Sequence, residues 1–373
     1  MERYRPNVYC DLDFLKSTLS MLDAENTSID NSYFNNRVLT ANIRKLILSP
    51  DIKLFLNITS DEYVKVLSDI EKKRIKDPKT GKGQELTPFD RLFLDMEQKQ
   101  QNNMCHLHFN AKKVLFDDTL LQGNYLNATF FSSETKETCQ QAMKEYGIIV
   151  ICKETIKDFD YLFFDHGSAL RRYEESDWEK CLSNENETNP CNSLIVVDNY
   201  VLNDGIEMDE NLTSLFSAII PKSLKPSVTF DLTIFATLKN DRNTEYDIKG
   251  RFDKVMEILQ KVRPKMNFSL SILKCKKDNF HDRNILSGNL FVGCGFGFNL
   301  FKNGKSQKTT TICAFHPFFY MNSIWPRKAY SDMLNEASSC FKKASVLEKL
   351  DLQYRCTNFV YGTKQNRLLD QIH

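Results

Sequence analysis

The strongest constraint on this chain is the alternation of short apolar runs with amphipathic segments. In the C-terminal half SLIVVDNYVL, FDLTIFATL and FSLSILKC read as buried strands, and ENLTSLFSAIIP and GRFDKVMEILQKVRP between them read as helices. The second of these helices sets Phe252, Val255, Met256, Leu259 and Val262 at helical spacing along one face. Strand, helix, strand in that order needs crossover connections, and hence parallel strands with helices laid over them. Further on, TTTICAFHPFFYM is expected as a strand, SDMLNEASSCFKKASVLEKL as a helix and TKQNRLLDQIH as a peripheral tail.

The N-terminal half follows the same grammar. VYCDLDFL is a β-like run with acids set into it, NNRVLTANIRKLILS a helix and IKLFLNI a buried strand. SDEYVKVLSDIEKKR is a helix with Ser60 as its N-cap and acids in its first turn. KKVLFDD and ATFFSSET are expected as short strands, and KETCQQAMKEYG as a helix closed by Gly147 before the strand IIVIC. The stretch DHGSALRRYEESDWEKCLSNENETNPCN is polar, which places a boundary between 160 and 190. The expected architecture is α/β: two mixed-sheet domains, 1–165 and 190–373, the second with a C-terminal helical extension.

Fifty basic and forty-nine acidic residues leave a net charge of +1, so any hold on a polyanion must come from local patches. No apolar run approaches the roughly 18 residues of a membrane span, and no signal-peptide core opens the chain, so no membrane partner and a cytoplasmic location are expected. Eleven cysteines stand singly, without a CxxC pair, which reads as reduced, buried thiols. His106 and His108 in CHLHF alternate on a strand and read as surface residues before metal ligands.

One segment carries more chemistry than its surroundings: FHDRNILSGNLFVGCGFGFN, residues 280–299. On a strand His281 and Arg283 share a face and Asp282 takes the other. A histidine can act as nucleophile or general acid on a phosphodiester, a cation beside it steadies the phosphate oxygens, and glycines allow close backbone approach. The same letters also fit a plain hairpin turning at Ser287–Asn289, with Arg283 paired to an acid and the glycines easing a packed strand.

SLIVVDNYVLND, its helix and strand, and then FHDRNILSGNLFVGCGFGFNLF resemble the phospholipase D superfamily over about residues 190–320, closest to the divergent HDR branch typified by the C-terminal domain of MIT-domain proteins. The resemblance implies catalytic or former catalytic roles for His281, Arg283 and Asn299, with Arg283 where active members carry lysine, Gly288 beside Asn289 at their aspartate, and Cys294 near their serine. Active members pair two such histidines, and this chain has one, so hydrolysis would require a homodimer with two copies of His281 face to face. Asp198 and Tyr200 fit the end of that family's first strand, with Asp198 orienting Arg283 or capping a helix.

Residues 7–155 resemble PIN-type nucleases, which gather carboxylates at strand ends around Mg²⁺ or Mn²⁺. Asp11 and Asp13 follow the first strand, Asp117 and Asp118 follow KKVLF, and Glu134 precedes a helix and YGIIVI. The pair the resemblance singles out as metal ligands is Asp11 and Glu134; exposed acids at strand ends also cap helices. Two basic runs, EKKRIKDPKTGKG and KCKKDNFHDR, could meet a nucleic-acid backbone, the second through Lys274, Lys276 and Lys277 with Asn289 nearby. The expected function is a nucleic-acid-associated effector, sensor or adaptor, and by resemblance a part of a bacterial antiphage or mobile-element defence system. Its phospholipase-D-like domain is expected to be non-hydrolytic, and its partners nucleic acid or another protein. The alternatives are an active nuclease and a protein-binding scaffold.

Overall fold

The computed structural model describes residues 5–24, 31–75, 83–102, 104–109, 115, 126–156, 171–172, 177–178, 182, 190–202, 206–237, 244–275, 280, 282–288, 290–306, 311–315, 324–346 and 358–370. The chain forms an α/β protein of two compact units. One comprises Arg5–Ala142 and Ile149–Phe164; the other takes in Met1–Tyr4, Met143–Ile148 and Asp165–His373.

The first unit runs β1 (Asn7–Asp11), α1 (Leu12–Ala24), α2 (Asn31–Ile47), β2 (Lys53–Asn57), α3 (Ser60–Arg74), α4 (Pro88–Gln101), β3 (His106–Phe109), β4 (Thr129–Phe131), α5 (Lys136–Tyr146) and β5 (Ile149–Ile151). Its five strands lie in the order β3-β2-β1-β4-β5, and every pair is parallel. A mixed sheet was expected here; the sheet is parallel because helices, not hairpins, return the chain from β1 to β2, from β2 to β3 and from β4 to β5. Val8, Cys10, Leu54 and Leu56 are buried on one sheet face. On that side Phe14 of α1 meets Phe131, and Tyr63 of α3 meets Phe109 and Phe93.

Two caps fix helix entries in this unit. Thr59, not Ser60, is the N-cap of α3, and Thr59 with Glu62 forms a reciprocal capping box. Thr87 and Asp90 repeat the device at α4, with Pro88 in the first turn. The Glu62 carboxyl is held below its ordinary range, first by the Thr59 backbone N–H and then by its hydroxyl. Gly147, already within the Met143–Ile148 segment of the other unit, closes α5 with φ of +62°, a left-handed cap that its missing Cβ permits. The strand expected at KKVLFDD lies outside the described residues, apart from Leu115 in a turn.

The second unit contains β6 (Arg171–Arg172), β7 (Ser193–Val197), α6 (Ile206–Ile219), β8 (Phe230–Ala236), α7 (Thr244–Val262), β9 (Phe268–Lys274), β10 (Asn284–Ser287), β11 (Phe291–Cys294), β12 (Phe301–Lys302), β13 (Lys305–Ser306), β14 (Thr311–Phe315), α8 (Ile324–Lys343), β15 (Ser345–Val346), β16 (Phe359–Gly362) and α9 (Arg367–Asp370). Among the described residues nine strands form one mixed sheet, β15-β16-β9-β8-β7-β10-β11-β14-β6. Its centre, β7-β8-β9, is parallel, and β10 turns antiparallel against β7. All five residues of β7 and all seven of β8 are buried, which is why these segments are mostly apolar on both faces, with Ser193, Asp231 and Thr233 as buried polar exceptions.

Side chains alternate between two cores across this sheet. Leu194 and Val196 join Leu212, Phe216, Val255 and Leu259 of α6 and α7 on one face. Ile195 and Val197 join Leu334 and Phe341 of α8, with Leu368 and Leu369 of α9, on the other. Two expectations change here. The helix expected over SDMLNEASSCFKKASVLEKL begins earlier and stops at Lys343, giving way to β15. The tail is core and not periphery: Asn366 is fully buried and donates to Leu194 O and Thr233 Oγ1. Beside it Arg367 bonds Asn192 O and Thr229 O and lies 3.3 Å from Asp231.

Candidate functional site

In the first unit the strand order reverses at β1, with β2 on one side and β4 on the other. In open parallel sheets the carboxyl ends of strands at such a switch point form the usual ligand crevice. Asp11 ends β1 there. Its Oδ1 accepts from Asn57 Nδ2 at 3.1 Å; its Oδ2 accepts from Ser133 N–H and Ser133 Oγ, both at 2.9 Å, and from Ser132 Oγ at 3.4 Å. Ser132 Oγ in turn accepts the Glu134 N–H at 3.2 Å. Thr135 Oγ1 then accepts the Thr138 N–H as α5 begins.

Asp11 is therefore a clamp that ties β1 to the end of β2 and to the loop entering α5. A Mg²⁺ or Mn²⁺ ion wants several hard oxygen ligands with free lone pairs. Here one carboxylate already accepts four hydrogen bonds, and the described residues contain no group of three or more His, Cys, Asp or Glu placed to hold a metal. The described residues do not fit the ion. Asp117 and Asp118 lie outside the described residues.

The corresponding place in the second unit is the end of β7, flanked by parallel β8 and antiparallel β10. Asp198 follows the strand, is 2 % exposed, and accepts from Tyr200 N–H at 2.8 Å and from Phe298 N–H at 2.7 Å. Burial pushes its carboxyl above the ordinary range; the two N–H groups and the Arg283 charge pull the other way and offset this only in part. Arg283 Nη1 donates to Gly295 O at 2.8 Å, and its guanidinium sits 5.8 Å from the Tyr200 ring centre. Asn299 Nδ2 donates to Tyr200 O and Val201 O.

The glycine-rich segment is thus a loop stapled from several sides. β10 and β11 do form a hairpin, with Ser287 N–H bonded to Leu290 O across the turn. Only Gly293 sits on a strand; Gly295 and Gly297 lie beyond β11, so easing a packed strand is not their task. Gly297 has φ of +102°, and a Cβ there would stand 2.8 Å from Asp198 Oδ2 and 3.0 Å from Arg283 Cδ. Trp178 Nε1 bonds Phe298 O, and Asn211 of α6 bonds both polar atoms of the Phe301 backbone. Buried Arg283 Nε and Asn299 Oδ1 have no hydrogen-bond partner among the described residues.

Of the residues singled out in the sequence, Arg283 and Asn299 converge on Tyr200, and Asp198 joins them. His281, Lys276, Lys277 and Asn289 lie outside the described residues. Lys274 ends β9 and lies 5.8 Å from the Phe359 ring centre. In the first basic run Lys72, Lys73 and Arg74 pair with Asp69, Asp90 and Glu71, which neutralises the end of α3 locally. Nothing local in the sequence pointed to Trp178 or Asn211, whose roles depend on a loop distant in the chain. Asn57 and Ser132 were discoverable, since each lies at a strand end beside Asp11.

No helix among the described residues is long and apolar enough to cross a membrane. Among the described residues eight cysteines are free, and six of these are buried. Burial pushes the thiols of Cys139, Cys191 and Cys275 up to about 12, so they remain protonated. No protein-family model and no curated protein matches the chain. Among solved structures it is similar to TrmBL2, an archaeal chromatin protein described as showing a novel mode of DNA binding, at 12% identity over 84% of this chain and 95% of that one. The TM-score is 0.21, too low to carry either fold or activity from that protein to this chain.

Proposed function

We propose that this chain is a nucleic-acid-associated protein whose second unit keeps a phospholipase-D-like framework without hydrolysing phosphodiesters. The observation that carries the reading is the set of bonds at the end of β7. Asp198 takes the Phe298 amide, Arg283 binds Gly295 O and Asn299 binds Tyr200 O, so the three side chains pin the 295–299 loop and leave the Phe298 amide engaged. A pinned loop with its amide engaged suits a fixed binding surface better than a site that must follow a reacting phosphorus. The chain leaving β9 carries Lys274, Lys276, Lys277, His281 and Arg283 within ten residues, a density of cations suited to a polyanion backbone.

The test is fluorescence anisotropy with labelled single-stranded RNA, single-stranded DNA and duplex DNA, at about 50 and about 200 mM salt. Binding should weaken with salt, and Arg283→Gln or Lys274→Gln should weaken it across all sequences, each lowering the salt slope by about 1. Parallel incubations with Mg²⁺, Mn²⁺ or EDTA should leave the strands intact. Cleavage that survives EDTA and vanishes in His281→Ala would establish a nuclease instead. Failure to bind any oligonucleotide at low salt would favour a protein scaffold. The role in bacterial defence rests on the family resemblance, and a plaque assay in a bacterium carrying the gene, with Arg283→Gln as control, checks it.

A further inference from the structure

The face of the first unit's sheet opposite Val8, Cys10, Leu54 and Leu56 carries a row of rings, buried at one end and open at the other. The strand register sets Phe130, Tyr9, Phe55 and His108 directly across from one another on β4, β1, β2 and β3. The rings are stacked: Phe130 to Tyr9 at 5.1 Å and 17°, Tyr9 to Phe55 at 4.6 Å and 12°, Phe55 to His108 at 4.9 Å and 20°. These spacings are set by the distance between neighbouring strands. Exposure rises along the row, from Phe130 at 3 % and Tyr9 at 8 % through half-buried Phe55 to exposed His108. β3 is the last strand of the sheet among the described residues, so the stack opens at His108.

Beyond Phe130 the row meets fully buried Val150 of β5, whereas on β1, β2 and β3 the residues flanking it on the same face are polar. One step toward the start of the strands stand Asn7, Lys53 and His106, and one step toward their ends stand Asp11 and Asn57. Lys53 and His106 are close enough to His108 to add to the partial desolvation of its ring against the sheet, which is the main reason its imidazole holds a proton less readily than usual. A neutral ring beside an ammonium group is a surface for something planar that carries negative charge. A purely apolar partner would bury Lys53 without a counter-charge, and a duplex offers no free base face along its length.

We propose that the open end of this row, at His108, receives an unpaired base of single-stranded nucleic acid, with Lys53 meeting the adjoining phosphate. The proposal rests on the nucleic-acid reading above and assigns to that reading a substrate class, single strands, and a contact in the first unit. A base laid on the outer face of His108 continues a stack whose inner rings are already held by the sheet, so little side-chain freedom is lost on binding. Such stacking is tolerant of sequence, because every base has a π-face.

The experiment uses the full chain and single-stranded oligonucleotides carrying 2-aminopurine, whose fluorescence is quenched by stacking. Wild type should bind with quenching. His108→Ala should weaken single-strand binding by roughly tenfold and remove the quenching, His108→Phe should restore both, and Lys53→Gln should lower the salt slope while leaving the quenching. His108 is exposed, so these variants should keep the wild-type circular dichroism spectrum. Wild-type affinity and quenching in His108→Ala overturn the stacking site and leave the nucleic-acid reading standing. Absence of binding by the wild-type chain overturns both.

Discussion

Replacing Asp198 with asparagine tests whether the end of β7 is held as described. The carboxylate accepts two backbone N–H groups, from Tyr200 and Phe298, in a site 2 % exposed. Asparagine keeps one oxygen for one of them and turns an NH₂ toward the other. The loss of one hydrogen bond to a charged acceptor is worth about 1.5–3 kcal/mol, and the stranded buried donor adds about 1–3 kcal/mol. Removing a charge from a buried site returns part of this, so the net loss should be about 2–3 kcal/mol, and larger for Asp198→Ala, which strands both donors. The assay is urea unfolding followed by Trp178 fluorescence, in a Trp325→Phe background because the chain has two tryptophans. The Trp178 indole is bonded to Phe298 O and so reports on the same loop. The midpoint should fall with the slope unchanged.

The sign of the pH dependence gives a second reading from the same variant. The folded-state pKa of Asp198 is raised, so between the unfolded value near 3.9 and the raised folded value the native state binds more protons than the unfolded one. Wild-type stability from this group therefore falls as pH rises through that window, whereas the amide of the variant has nothing to titrate. The penalty of Asp198→Asn should shrink as pH rises across it. A change within about 0.5 kcal/mol of zero, the range of ordinary surface substitutions, would refute the account. So would a penalty that grows with pH.

Gly362→Ala should destabilise the second unit more than Gly297→Ala in urea titrations. At φ of +115° its Cβ would meet the Leu270 carbonyl oxygen at 2.2 Å, whereas part of what Gly297 meets is a movable arginine side chain. Arg367→Met should cost about 3–5 kcal/mol in the same titration, because it leaves the Asp231 carboxylate buried beside no cation, and adding Asp231→Asn should recover part of the loss. Thr59→Ala removes the hydroxyl half of the α3 capping box and should cost about 1 kcal/mol, read from the unfolding of the first unit. Mg²⁺ or Mn²⁺ should leave the thermal midpoint unmoved; a bound ion at a hundred times its Kd would add about 2.7 kcal/mol and raise it visibly.

What the sequence determined by itself was local and periodic. The apolar runs of β7, β8 and β9 are buried on both faces, and burial on both faces can be read from composition alone. The helix read over GRFDKVMEILQKVRP and the hairpin of β10 and β11 follow from spacing and turn residues in the same way, although the helix begins six residues earlier, at Thr244. Capping was nearly as legible: threonine and serine stand side by side at 59 and 60, and only the reciprocal Glu62 contact decides between them.

Tertiary structure decided everything that depends on partners far apart in the chain. The segment NRLLD looks like a polar tail until Asn366 and Arg367 are seen satisfying Leu194, Thr233, Asn192 and Asp231, more than 130 residues away. Asp198 and Gly297 stand about a hundred residues apart, and the glycine is needed because an acid from another strand fills the space where its Cβ would be. The row from Phe130 to His108 draws one ring from each of four strands, and no window of sequence contains two of them in register. Alternation along a strand says which residues share a face; only the order and register of the strands say which rings touch.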